Sequence, residues 1–462
     1  MHNSVGVAPS CRASSHLHAR RRNMTRPILL ALLAIIGVGC TSVPDRIARL
    51  PKLRQSCLSF GMKVPYPIIL LHGLGQKADV WHGPATEYFR KDLGLTYGGE
   101  LAADRKGNIR RVIAGSGQAD FFTVAFSNSS DSINAWRDEL EACITEVRRT
   151  TGADRVILVG YSMGGLAARA YLCKRLTDHN VKRLITIGTP HLGSAMAKIW
   201  DVTTDLADCA RNGSVLTKTP CELALSAVRK AQDDVPFDSW AVRDLRRPED
   251  GGEYLRRLGK MAHPLDVEYI SVIGKVDLVN NTLSKGAAQE LVRKVLSVIG
   301  GSIDDIFDTG DGVVSARSQN MMNIEWFNLD ASRRRTSRVV ELASVHTHHL
   351  STSSDVQRVA LEEKPELRGV FLARDGDQAV LVVDFVDHIP GICEVSVSVG
   401  GSGSLLLKAN PKDIRLCPQE DGIVARAVIP MDGLDVTAIA PYRMKITLTN
   451  SFGYKATTSL EW

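Results

Sequence analysis

Gly160-Tyr161-Ser162-Met163-Gly164-Gly165 stands between the apolar run Val156-Ile157-Leu158-Val159 and the small-residue stretch GGLAARAYL. A buried strand that turns at once into a close-packed helix leaves little room at the turn. Glycines on both flanks let backbone approach where any side chain would block it, and the serine between them is held exposed in a strained conformation. A chain with this hexapeptide in this setting needs a sheet to carry the strand and a helix layer to receive the turn.

The surrounding pattern supplies both. From Pro65 to about Glu363, short apolar runs alternate with amphipathic segments, as in a mostly parallel sheet covered on both faces. Strands are expected at Ile68–Leu71, Phe122–Val124, Val156–Val159, Leu184–Ile187, Tyr269–Ile273 and Val339–Leu342. Ile133, Trp136, Leu140, Ile144 and Val147 recur at three- and four-residue steps, which predicts a helix with one buried stripe. Two connections, 194–266 and 278–306, are longer than a plain crossover requires; the first carries Trp200, Phe237 and Trp240. Beyond Lys364-Pro365 the texture becomes strict alternation, in EVSVSV, VARAVI and RMKITLTN, broken by Gly, Pro, Asp and Asn. That predicts an immunoglobulin-like β-sandwich over residues 367–462.

The net charge of +6 is concentrated at the start of the chain. Five arginines and no acid fall within residues 1–39, so the remainder carries only +1. A surplus basic field that could draw in phosphates is missing from the folded part, and a nucleic-acid partner is not expected. The basic run is followed by uncharged Ile28 to Gly39 and then Cys40-Thr41-Ser42. Such a run is too short to span a bilayer but suits the core of an export signal, with Met24 as the more typical start. Small residues directly before Cys40 resemble a bacterial lipobox, in which the cysteine is lipidated. Export to the bacterial cell envelope, with a membrane attachment through Cys40, is therefore expected. The division that follows is a leader at 1–39, a linker at 40–64, a sheet domain at 65–366 and the sandwich. Of nine cysteines, Cys209 with Cys221 and Cys393 with Cys417 are the pairs expected to close loops, while Cys143 and Cys173 fall in helical patterns and should pack as small apolar residues.

A serine hydroxyl needs a base and an oxyanion trap to act as a nucleophile. The strand Ile68–Leu71 runs into His72-Gly73-Leu74-Gly75, so the backbone N–H of Leu74 can pair with that of Met163 around a developing oxyanion. His72 itself reads as a loop organiser.

PIILLHGLG, TGADRVILVGYSMGG and Gly188-Thr189-Pro190-His191-Leu192-Gly193-Ser194, in that order, resemble the bacterial lipases and esterases of the α/β-hydrolase superfamily over roughly residues 65–360. The resemblance implies an α/β-hydrolase fold with a helical lid-like insertion at 194–266, and a structural role for His191 beside the acyl pocket. It also implies the chain order serine, acid, histidine. The base then falls in Ser344-Val345-His346-Thr347-His348-His349-Leu350, with His346 favoured over His348 and His349 because Leu350 follows it as in the His-x-x-Leu-Leu ending of related lipases. Asp311, opening DGVVSARS, resembles the family's acid loop; Asp277, after the strand YISVIG, competes with it. Asp304, Asp305, Asp308 and Asp311 lack EF-hand spacing and read as a solvated acidic loop. The expected activity is a serine ester hydrolase using Ser162, His346 and Asp311, with no cofactor and no metal, on acyl-ester or lipid substrates. An acyltransferase or thioesterase would use the same residues. An anchored interaction protein with a non-catalytic hydrolase scaffold, its sandwich facing an unknown partner, is the alternative from another class.

Overall fold

A computed structural model describes residues 49–54, 57, 62–194, 197, 211–212, 239–275, 310–311, 313–344, 346, 349–350, 358, 361–400, 406–420, 422–431 and 443–461. The leader with Cys40, the residues Trp200, Phe237, Asp277 and His348, the Cys209/Cys221 pair and the connection 278–306 lie outside the described residues.

Eight strands form one sheet: β1 (Ile68–Leu71), β2 (Tyr97–Ala103), β3 (Ile109–Ile113), β4 (Phe121–Val124), β5 (Val156–Tyr161), β6 (Val181–Ile187), β7 (Glu268–Gly274) and β8 (Ser337–Leu342). Their order is β3-β2-β4-β1-β5-β6-β7-β8. Every neighbouring pair is parallel except β2 with β3 at the edge. The six strands expected from apolar runs are all present. β2 and β3 were not foreseen: β2 opens with Tyr97-Gly98-Gly99, a sequence poor in strand formers, and β3 is largely exposed and carries two arginines. Gly98 is needed because a Cβ there would stand 2.1 Å from the ring of Phe122 on β4.

Helix α1 (Ile133–Thr151) buries the expected stripe against one sheet face. Ser132 caps it by accepting from the Ala135 N–H, Arg148 and Arg149 complement the carboxyl end of its dipole, and Gly152 ends it at φ 74°. Trp136 is fully buried and stacks on Phe126 at 4.1 Å between ring centroids. Truncating such a residue costs about 3–5 kcal/mol. Its other neighbour is the His72 ring, at 5.1 Å, so the helix stripe directly supports the loop after β1. Helix α2 (Met163–Lys174) is buried along nearly its whole length, and its small residues let it lie close on the sheet. A Cβ on Gly164 would stand 2.5 Å from the His72 carbonyl oxygen.

The sandwich pairs two four-stranded sheets, whose strands are β9 (Glu366–Asp375), β10 (Gln378–Val386), β11 (Glu394–Gly400), β12 (Leu406–Lys408), β13 (Ile414–Gln419), β14 (Gly422–Pro430), β15 (Arg443–Thr449) and β16 (Lys455–Glu461). The orders are β13-β14-β10-β9 and β12-β11-β15-β16. Alternate residues of both, such as Leu381, Val383 and Phe385 facing Val395, Val397, Ile446 and Leu448, make the core.

The expected Cys393–Cys417 bridge does not form. Cys417 is bonded to Cys57, and Cys393 is a free buried thiol. The N-terminal segment is what brings Cys57 there: Leu53 N–H donates to the Arg374 carbonyl, and the Arg374 N–H to the Pro51 carbonyl, so residues 51–53 run alongside β9. Cys143 and Cys173 are buried free thiols, as expected. The two domains meet through a shared apolar cluster in which Ile389, Ile423 and Phe452 pack with Tyr66 and Ile185. A polar knot lies beside it: Glu363 pairs with Arg183 and His388, and Asn450 donates to Asp387 Oδ2 at 3.0 Å.

Candidate active site

The carboxyl ends of β1, β5, β6, β7 and β8 converge, and each contributes to one cluster. Ser162 ends β5 at φ 50°, ψ −123°, one of two described non-glycine residues with positive φ. It is fixed there by its own N–H, which donates to the Ile187 carbonyl of β6, and by its carbonyl, which accepts from Gly165. Ser162 Oγ lies 3.1 Å from His346 Nε2, and His346 Nδ1 lies 2.7 Å from Asp311 Oδ2. Backbone holds this pair as well: the His346 N–H donates to the Asp311 carbonyl, and Tyr161 Oη donates to the His346 carbonyl at 2.8 Å.

Asp311 is buried, and its Oδ1 accepts the N–H groups of Val313 and Val314 at 3.1 and 2.8 Å. Burial acts to raise its carboxyl, but the hydrogen bonds from His346 and His349 outweigh that and hold it well below the usual carboxylate range. An ionised Asp311 fixes the His346 proton on Nδ1 and leaves Nε2 as the acceptor facing Ser162.

Of the two amides expected to hold an oxyanion, that of Leu74 belongs to the loop after β1 and that of Met163 to the first residue of α2, directly after the serine. The loop's proximity is set by Gly73, whose substituted Cβ would stand 3.0 Å from Ser162 Cβ. His72 keeps the role of organiser: its Nδ1 donates to the Gly73 carbonyl and its Nε2 accepts from the Phe126 N–H. Burial pushes its pKa down to about 4, so it stays neutral. His191 is fully buried with Nε2 against Thr186 Oγ1, and its carbonyl accepts from the buried Arg169 guanidinium.

Four contributors take parts in the site that the sequence did not foretell. His349, one of the candidate bases, turns its Nε2 to Asp311 Oδ2 at 3.1 Å instead of to the serine. Gln319 accepts the Gly274 N–H and donates to the Gly274 and Val314 carbonyls, bracketing the end of β7 to the Asp311 loop. Gly188, at φ 58°, and Gly274 leave room for the imidazoles. Gly188 opens the Gly188–Ser194 motif and His349 is among the candidate bases, but no local pattern places them, or Gln319 and Gly274, beside Asp311 and the end of β7. Trp240 is 62% exposed, with Arg243 over its ring.

Residues 66–205 match the family model of the α/β hydrolase fold. Together with the strand order, this decides the fold. The sheet domain has the α/β-hydrolase fold. Within that fold, the chain is 31% identical over 132 residues to a triacylglycerol lipase of Pseudarthrobacter phenanthrenivorans, covering 29% of this chain and 35% of the relative. It is equally similar, 31% over 132 residues, to a triacylglycerol lipase of Burkholderia plantarii, covering 29% and 31%. The chain thus spans about a third of the length of these curated relatives. Among solved structures, the mature lipase BlEst2 of Bacillus licheniformis is 16% identical with a TM-score of 0.37, covering 68% of this chain and 94% of that one.

Proposed function

We propose that the protein is an exported, lipid-anchored serine ester hydrolase. The observation that carries this reading is the unbroken hydrogen-bonded line from Asp311 through His346 to Ser162. In the reaction, Ser162 Oγ forms a bond to the substrate carbonyl carbon while its proton passes to His346 Nε2. The resulting oxyanion is held by the Leu74 and Met163 N–H groups, and the positive end of the α2 dipole adds to their effect. The imidazolium then gives its proton to the departing alcohol, leaving an acyl-enzyme. Water attacks this ester by the same path in reverse and releases the acid. Asp311 stays ionised throughout and stabilises the imidazolium.

The triacylglycerol lipases with which the chain aligns support acyl esters as substrate. Hydrolysis requires no cofactor. Cell-envelope attachment rests on the sequence order of basic run, apolar run and Cys40. A fluorophosphonate probe tests the chemistry: it should label Ser162 and fail to label Ser162→Ala, whereas absence of labelling in folded wild type would favour the scaffold reading. Replacing Cys40 by Ser should release the protein from membranes when it is expressed in a bacterium with lipoprotein machinery; an unacylated wild type would remove the anchor from the proposal. Turnover across esters of rising acyl length, compared with transfer to an added alcohol, separates hydrolase from acyltransferase.

A further inference from the structure

His349 is placed to govern the acid of the site, although it touches neither the serine nor the region in front of it. Its ring is fully buried. The slot that receives it is built by two strand ends: a Cβ on Gly188 would stand 3.0 Å from its Cδ2, and a Cβ on Gly274 only 2.5 Å from its Cε1. Nε2 lies 3.1 Å from the same Asp311 oxygen that faces His346. Nδ1 is buried with no hydrogen-bond partner among the described residues.

That last observation selects the tautomer. A proton on Nδ1 would be a buried donor with nothing to accept it, costing about 1–3 kcal/mol, whereas a proton on Nε2 has the carboxylate directly before it. The same argument weighs against a cation held by Asp311, His346 and His349, whose ligand atoms all lie within 4.8 Å of one another. Metal on Nε2 would force the His349 proton onto the partnerless Nδ1. Asp311 therefore receives four N–H groups, two on each oxygen.

We propose that His349 is a positioning residue: its Nε2–H pins Asp311 Oδ2 so that the carboxylate presents one fixed oxygen to His346. This rests on the serine-hydrolase reading above. Among the described residues, His349 is the side chain that shares Oδ2 with His346.

The test compares wild type, His349→Leu and His349→Gln on a soluble ester. Leu keeps bulk without a donor; Gln can return an N–H near the position of Nε2. The leucine variant should lose about tenfold in kcat with KM within about twofold. Gln should restore kcat in large part. A leucine variant that matches wild type overturns the proposal, as does a Gln variant that stays as slow as the leucine one. Histidine 15N NMR of the wild type gives a result independent of variant folding: the His349 signal, assigned by its loss in the Gln variant, should place the ring proton on Nε2. Protonation at Nδ1 would overturn the proposal. Failure of the serine-hydrolase reading itself would be seen separately, as wild type that neither hydrolyses esters nor labels at Ser162.

Discussion

The backbone of Ser162 allows strain at the nucleophile to be weighed by a pair of substitutions. At φ 50°, ψ −123°, an L-residue pays of order 1–3 kcal/mol, and the hydrogen bonds from Ser162 to Ile187 and Gly165 hold it there. Ser162→Ala keeps the Cβ and therefore the strain; Ser162→Gly removes both. Each loses the hydroxyl and its 3.1 Å contact with His346, so that loss cancels in the comparison. Glycine gives back about 0.5–1 kcal/mol because its unfolded chain has more freedom. The net expectation is that Ser162→Gly is more stable than Ser162→Ala by about 1 kcal/mol, or about 2 °C in the melting of the sheet domain. Scanning calorimetry of the two variants, side by side and with the disulfide intact, measures this. A glycine variant no more stable than the alanine one would show that the turn is not strained and that the serine is exposed for another reason.

Three further outcomes follow from the same geometry. Asp311→Asn can place an amide donor before His346 Nδ1 and the wrong tautomer follows, so kcat should fall by about 10⁴ with folding largely kept, while Asp277→Asn should cost far less; equally folded variants with the reverse ranking would move the acid. Gly188→Ala would put a Cβ 3.0 Å from Asp311 Oδ2 and 3.1 Å from His346 Nδ1, at a φ that disfavours alanine, and ester turnover should drop by tenfold or more; wild-type turnover in the variant would refute the tight packing. Burial acts to raise the Glu363 carboxyl, but His388 and Arg183 outweigh it and hold it well below the ordinary range. A depressed folded pKa contributes stability above the unfolded carboxylate pKa of about 4.3 and loses it as pH falls, so the domain junction should weaken below about pH 5 in wild type and show a flatter acid dependence in Glu363→Gln. Calorimetry across pH 3 to 7 checks this, and parallel curves for the two proteins would count against it.

What could be read from the sequence was what is local. Five of the six foreseen strands are short apolar runs buried on both faces, the edge strand β8 being part-exposed, and the serine turn writes its own geometry in glycines over six residues. The sandwich was legible because alternation has one meaning. β2 and β3 were not, since the first depends on glycines that fit around Phe122 and the second is an edge strand with little to bury. Among His346, His348 and His349, the family ending with Leu350 favours His346, but nothing local says where His349 turns. In the structure both His346 and His349 turn to Asp311, and only the His346 ring also reaches Ser162 Oγ. The partner of Cys417 could not be deduced either, because Cys57 precedes it by 360 residues and comes near only when residues 51–53 lie along β9.

That disulfide changes the mechanics of the molecule. Two domains joined by a single peptide link can swivel about it, and relative motion is then the default. Here the sandwich is tied to the sheet domain twice in covalent terms: once where residues 361–366 pass from one to the other, and once through Cys57, from which the chain runs on into β1. Two attachment points leave at most one axis of rotation, and the Glu363 knot and the Ile389 cluster lie across what remains. The load path is also redirected. A pull applied at residue 50 is borne first by β9 and Cys417, so the sandwich takes the strain and β1, with its oxyanion loop, is relieved of it. In a reducing environment one tie is cut and the same pull would reach β1 through residues 58–67, placing the loop that carries Leu74 under tension.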